Sequence, residues 1–384
     1  MTHRERVLAA LDHREPDRVP VDLGSTWVST MALRTHDALK EYLGFEGEES
    51  ETAMLVLQTA RVDERILQHF DTDVRPVYPG EAKNFKTVFQ DRGDYHYFED
   101  EWGIEWRMPR TDGFYYDMAH HPLHDATAEE IREYSGPDVH DPGRVDGLRS
   151  NVETLRNETD YALFPEIGGP GMFEGAWFLR GMEQFMVDML TDRPLAEALL
   201  DKVLEVMHGF YDVYLDEIGD LIDIVPTGDD LGAQRGPLLN PDLYRSLIKP
   251  RQKELIQGIK RKTKAKVFFH ICGDFTPFLD DLIEVGVDII NPIQNTALNM
   301  STSELKATWG DRVVFWGGGC DTQRILPFGT EEEVRSEVHT RIRDLAPGGG
   351  FVFTQVHDIQ ANTPPKNIVA MIEAARDFGS YPIL

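Results

Sequence analysis

Residues 264–274, KAKVFFHICGD, decide the fold. Val267, Phe268 and Phe269 form an unbroken apolar run, as in a strand buried on both faces rather than one with a wet side. Gly273 supplies a turn, and TPFLDDLIEVG (276–286) follows as a helix ending on Gly286, a natural C-cap. A doubly buried strand followed by a helix is the repeating unit of a parallel α/β sheet.

The unit recurs outward in both directions. Strand segments are expected at 19–24, 73–78, 161–168, 221–230, 266–272, 287–293, 312–319 and 351–357. Amphipathic helices fall between them. Residues 240–264 open on Asn240 as a cap, and Pro250 kinks or divides the helix. Residues 330–345 start with Thr330 and an acidic first turn. Eight strands alternating with helices predict a (β/α)8 TIM barrel formed by a single domain over residues 1–384. Residues 81–125 break the rhythm, being aromatic, alternating and turn-rich. They read as a β-meander inserted over the barrel mouth. Its EWGIEW (101–106) packs the insertion or, alternatively, roofs a substrate.

Chemistry in such a barrel lies at the C-terminal strand ends. Those ends hold Asp22, Tyr78, Glu166, Asp229, Asp230, His270, Cys272, Gln294, Cys320, Asp321 and His357. Cys272 and Cys320 are the only two cysteines, and each follows a strand, as does His357. Thiolate and imidazole together suit zinc. A packed thiol and hydrogen-bonded imidazoles are the plainer alternative, since a lone His-x-Cys is a weak motif. No GxGxxG, Walker loop or GxSxG elbow occurs, so nucleotide binding and a serine nucleophile lack support.

Composition narrows the classes further. The formal net charge of −28 over 384 residues argues against nucleic acid. No apolar run approaches the ~20 residues that span a bilayer. The opening MTHRERVLAALDHREPDRVP is charged and lacks a signal-peptide core, and two cysteines suggest no disulfide framework. A reducing cytoplasm is the expected compartment.

The chain resembles the uroporphyrinogen decarboxylase superfamily along essentially its whole length. The carrying segments are GDDLGAQRGPLLNPDLYRSLIKPRQKELI, HICGD, DIINPIQ, FWGGGCDTQRILPFGT and HDIQANTPPKNIVAM. The resemblance implies one of two chemistries: cofactor-free decarboxylation of a tetrapyrrole, or zinc-dependent methyl transfer to or from a corrinoid. The decarboxylases carry an N-terminal Arg-Gln-Ala-Gly-Arg segment, where this chain has GSTWVSTMALRTHDALK. They also carry an aspartate after the second strand, which here ends Tyr78-Pro79-Gly80, and a tyrosine that aligns with Trp177. The methyltransferase branch carries HICG, repeated here at His270, Cys272 and Gly273. Its third ligand, a cysteine before a Thr-Pro, aligns with His357 before Thr363-Pro364.

The resemblance therefore implies a zinc-dependent methyltransferase that moves a methyl group between a small methoxylated or thiol substrate and cobalamin. The resemblance implies that the cobalamin would come from a partner corrinoid protein. The implied metal ligands are His270, Cys272 and His357, with Cys320 as alternative third ligand and Glu174 as a further candidate. Asp229 and Asp230 are candidate catalytic residues, or else a helix cap beside a structural carboxylate. Tyr78, Trp177, Gln234 and Gln294 are candidate substrate contacts, with core packing and turn polarity as the alternatives. A uroporphyrinogen decarboxylase-type lyase and a non-catalytic small-molecule-binding barrel stay open, as does a homodimer.

Overall fold

The computed structural model describes residues 1–45, 47 and 49–383. It is an α/β fold built on parallel strands. Strands Phe351–Val352, Val314–Trp316, Ile289–Asn291, Lys266–His270 and Ile224–Gly228 lie side by side in that order, all parallel. Val74–Val77 and Ala162–Pro165 form a second, two-stranded parallel sheet.

Side chains alternate between two cores, as period-2 strands require. One inner cluster gathers Val74, Phe164, Ile224, Phe268, Ile289, Val314, Trp316 and Val352, one or two from each of the seven strands. Val7 and Leu11 of helix His3–Leu11 pack into the same cluster from one end. The alternate residues, among them Leu163, Val225, Phe269, Ile290 and Phe315, join the larger core beneath the helices. Burial on both faces explains the continuous apolar runs in the sequence.

This arrangement is consistent with a TIM-barrel-like fold, but the ladder is in two pieces rather than one closed sheet of eight strands. The expected strand at 19–24 is reduced to one bridge, Val21 to Phe353. Pro20 has no N–H, and the Val21 N–H donates to the Asp73 carboxylate at 2.7 Å instead of to a neighbouring strand. Backbone bonds from Asp22 N to Phe353 O and from Asp73 N to Val21 O still link this segment to both sheets.

The other expected strands are present but shorter, ending where site residues begin. Pro250 divides the 240–264 helix into Pro241–Leu247 and Lys249–Lys262, with Asn240 capping the first piece. Thr330 and Glu333 make the reciprocal capping box of helix Glu331–Leu345. The insertion is a four-stranded antiparallel meander running from Gln90 to His120. Among the described residues no helix is long and apolar enough to cross a membrane.

Candidate metal centre

His270 ends its strand, and its register partner Asn291 ends the next. Asn291 Nδ2 donates to the Trp316 carbonyl at 2.8 Å, which leaves Asn291 Oδ1 to accept from His270 Nδ1 at 2.8 Å. The amide thus assigns the imidazole tautomer: Nδ1 carries the proton and Nε2 keeps its lone pair. That Nε2 lies 3.4 Å from Cys272 Sγ. His357 hydrogen-bonds the Asp358 carboxylate through Nδ1, and Gln360 Nε2 holds Asp358 in turn at 2.8 Å.

One ligand atom from each of His270, Cys272 and His357 lies within 4.8 Å of the others. Bonds of ~2.0–2.3 Å in a tetrahedron put neighbouring ligands roughly 3.3–3.8 Å apart, so small side-chain adjustments close this group on one ion. Two oriented imidazoles and a thiol are a zinc donor set, and a far-nitrogen hydrogen bond on each imidazole is the usual support for metal-binding histidine. The residues fit zinc.

Acidic groups surround the trio. Asp230 Oδ1 accepts from Cys272 N at 2.7 Å and lies 3.9 Å from His270 Nε2. Burial pushes the Cys272 thiol well above its usual range, and the Asp230 and Glu174 carboxylates push it further. A bound cation reverses that balance. Burial also lowers His270. It opposes the charge on His357 too, but the hydrogen bond and charge of Asp358 prevail and raise it.

Asp229 is committed to structure. Helix Met172–Arg180 begins after Gly171, which has no capping side chain, and Asp229 caps it from the neighbouring strand end. Its carboxylate accepts from Phe173 N and Glu174 N at 2.9 Å each and from Gln252 Nε2 at 2.9 Å. Burial still pushes this carboxyl up to about 7. Gly171 is needed for the approach, since a Cβ there would sit 2.2 Å from the Gly228 carbonyl. The capping alternative is what the geometry displays, and Asp229 positions Glu174. Glu174 Oε2 in turn accepts from Asp230 N at 3.2 Å, and burial with its carboxylate neighbours raises it well above the usual range.

Cys320 lies outside the three-residue group. After Trp316, Gly317 and Gly318 at φ +91° and +86° turn the chain, and a Cβ on Gly318 would meet Ile293 at 2.7 Å. Cys320 ends up buried with Sγ 3.6 Å from Glu337 Oε2.

A cavity of about 510 Å³ opens beside the trio. Trp27, Trp102, Trp106 and Phe178 wall it, and Trp27 packs edge-on against His270 with ring centroids 5.8 Å apart. The charged lining consists of Asp100, Glu166, Glu174 and Asp230, with no Lys or Arg among the described residues. Burial pushes Glu166 up to about 8, and the nearby Asp22 carboxylate adds to the shift.

The other expected contacts lie elsewhere. Tyr78 sits under the Arg61 guanidinium, 4.3 Å from the ring centroid. Trp177 packs on Phe178 at 4.4 Å, its indole N–H buried without a partner among the described residues. Gln234 pairs with Gln323 at 3.1 Å, and Gln294 Oε1 accepts from Gly273 N at 2.9 Å, bracing the turn after Cys272. None of the four lines the cavity. The sequence pattern marks Glu166 only as one of the strand-end residues where chemistry is expected, gives Trp27 no role, and assigns the insertion's tryptophans to packing first. Trp102 and Trp106 are in fact both buried and cavity-lining.

A family model described as Uroporphyrinogen decarboxylase (URO-D) matches residues 100–378. The uroporphyrinogen decarboxylase of Alkalilimnicola ehrlichii is 24% identical across 96% of this chain and 93% of its own length. That of Psychromonas ingrahamii is 22% identical across 97% and 96%. Among solved structures, a methyltransferase from Methanosarcina mazei aligns with a TM-score of 0.64 at 18% identity. It covers 98% of this chain and 99% of its own, a likeness of fold.

Proposed function

This chain belongs to the uroporphyrinogen decarboxylase (URO-D) family, and from that premise we propose that it is a zinc-dependent methyltransferase. It moves a methyl group between a small methoxylated or thiol substrate and a corrinoid carried by a partner protein. The observation carrying this reading is the meeting of His270, Cys272 and His357 beside an aromatic cavity. The name of the Methanosarcina mazei neighbour supports the same branch. The parallel strands then serve as the wall of a single TIM barrel whose strand ends carry the site.

His270, Cys272 and His357 would hold the ion, and zinc bound there supplies Lewis acidity to a substrate heteroatom at the coordination position that three protein ligands leave open. Asn291 and Asp358 keep the two imidazoles aimed. Asp230 anchors the Cys272 backbone, and Asp229 fixes the start of the helix that carries Glu174. Trp27, Trp102 and Trp106 exclude water and align the substrate's methyl-bearing bond, which is the main requirement of an in-line displacement at carbon.

The decarboxylase alternative rests on the names of the curated relatives. A substrate with many carboxylates needs cations to pair them, and the lining offers none among the described residues.

The test is metal analysis of wild type and His270→Ala, followed by mixing the zinc-loaded protein with cob(I)alamin and a panel of methoxylated or methylthiolated compounds. Zinc near one per chain in wild type alone, with a methylcobalamin spectrum forming, is expected. Bound zinc with no spectral change in either direction of transfer, or coproporphyrinogen formation by the pure protein, overturns the reading.

A further inference from the structure

Three of the four carboxyls that line the cavity are occupied by the protein itself. Asp100 accepts from Trp106 Nε1 at 2.7 Å, from Trp102 N at 2.9 Å and from Ile104 N at 3.0 Å. Asp230 accepts from Cys272 N and Glu174 from Asp230 N. Glu166 differs. It follows strand Ala162–Pro165, its backbone N–H is tied to the Val77 carbonyl, and its side chain faces the cavity. Its carboxyl has no hydrogen-bond partner among the described residues. Asp22 nearby is fully buried and already accepts from Trp316 Nε1 at 3.0 Å and Ser25 N at 3.1 Å.

A polar group left without a partner inside a largely apolar cavity is costly unless a ligand completes it. We propose that Glu166 anchors the substrate's remote end, and that the cavity takes a compact, largely apolar molecule, neutral or cationic, bearing a hydrogen-bond donor and no carboxylate. A hydroxyl or ammonium N–H satisfies Glu166 directly. An entering carboxylate would lose its hydration in a lining that offers no Lys or Arg among the described residues to pair with it. The faces of Trp27, Trp102 and Trp106 suit a ring or an organic cation alike. This deepens the methyl-transfer reading and rests on it only for which bond reacts.

Three probes of one shape separate the cases: 4-methoxybenzylamine, 4-methoxybenzyl alcohol and 4-methoxybenzoate. Their binding to the zinc-loaded full chain is followed at neutral pH through fluorescence of the cavity tryptophans, without any corrinoid. The amine and the alcohol are expected to bind about tenfold or more tightly than the benzoate. Glu166→Gln should keep the alcohol within about threefold and weaken the amine about tenfold. Glu166→Asp, which keeps the carboxyl but shortens the reach, should weaken both. Benzoate binding as tightly as the alcohol, unchanged amine affinity in Glu166→Gln, or no quenching by any probe overturns the proposal. The expected binding order without methyl transfer counts against the transfer reading alone.

Discussion

Cys272 and Cys320 follow closely similar strands, KVFFH and VVFW, yet their surroundings have nothing in common. Cys272 comes two residues after the last strand residue and remains on the side of the strand that His270 faces. Cys320 comes four residues after Trp316, beyond two left-handed glycines, and lies against Glu337 of helix Glu331–Leu345. A soft ligand after a strand is therefore not enough. Its register relative to the strand end, and the turn between, decide whether it reaches the mouth or a helix.

The strongest way to break this contrast is to remove each thiol in turn. Cys272→Ala should weaken zinc binding at least ~100-fold, while Cys320→Ala keeps the metal, as measured by competition with a chelator. Equal losses in the two variants would erase the distinction. Next comes the support of the imidazole. Asn291→Leu frees the His270 ring and leaves the Trp316 carbonyl without its donor, so zinc affinity should fall about 10–100-fold with the ligands intact. An unchanged affinity would mean that the strand alone aims His270.

Smaller effects sharpen the other half of the comparison. Cys320→Ala should cost about 1–2 kcal/mol in denaturant melts by leaving a small void in the core and removing the contact with Glu337. A larger loss accompanied by metal release would return Cys320 to the centre. The mildest test concerns Glu166, a polar group that also follows a strand. Its folded value of about 8 lies above the usual carboxyl value, so between roughly pH 4.5 and 8 the folded chain holds a proton that the unfolded chain has released. Stability from this group is complete below that window and declines as pH rises through it. Glu166→Gln should flatten the decline between pH 5 and 8 in melts run across that range. An identical slope in the variant would show that the carboxyl is already ionised in the folded chain.

What was legible in the sequence was whatever depends on local pattern. Phe268 and Phe269 announced a doubly buried strand, Pro250 announced the helix break, and His270 with Cys272 sit at the spacing that keeps two side chains on one face. His357 was found because strand ends converge. What was illegible depends on partners distant in the chain. Nothing near Val21 reveals that Asp73 takes its N–H, and nothing near Tyr78 reveals Arg61 on its ring. Glu166 was visible as a strand end, but its lack of a partner is a property of the assembled cavity. Asp229 and Asp230 adjoin in sequence and serve different elements, because one side chain turns to a helix start and the other to the Cys272 amide.

The tryptophans of the meander lean over ligands they do not share a chain segment with. Trp102 and Trp106 belong to an insertion between two strands, whereas His270, Cys272 and His357 come from the strand ends themselves. Heredity can thus treat what is recognised and what is done to it as separate traits. Drift in the meander reshapes the menu of acceptable molecules while the reacting group descends unchanged, so paralogues of this chain can diverge in diet before they diverge in chemistry.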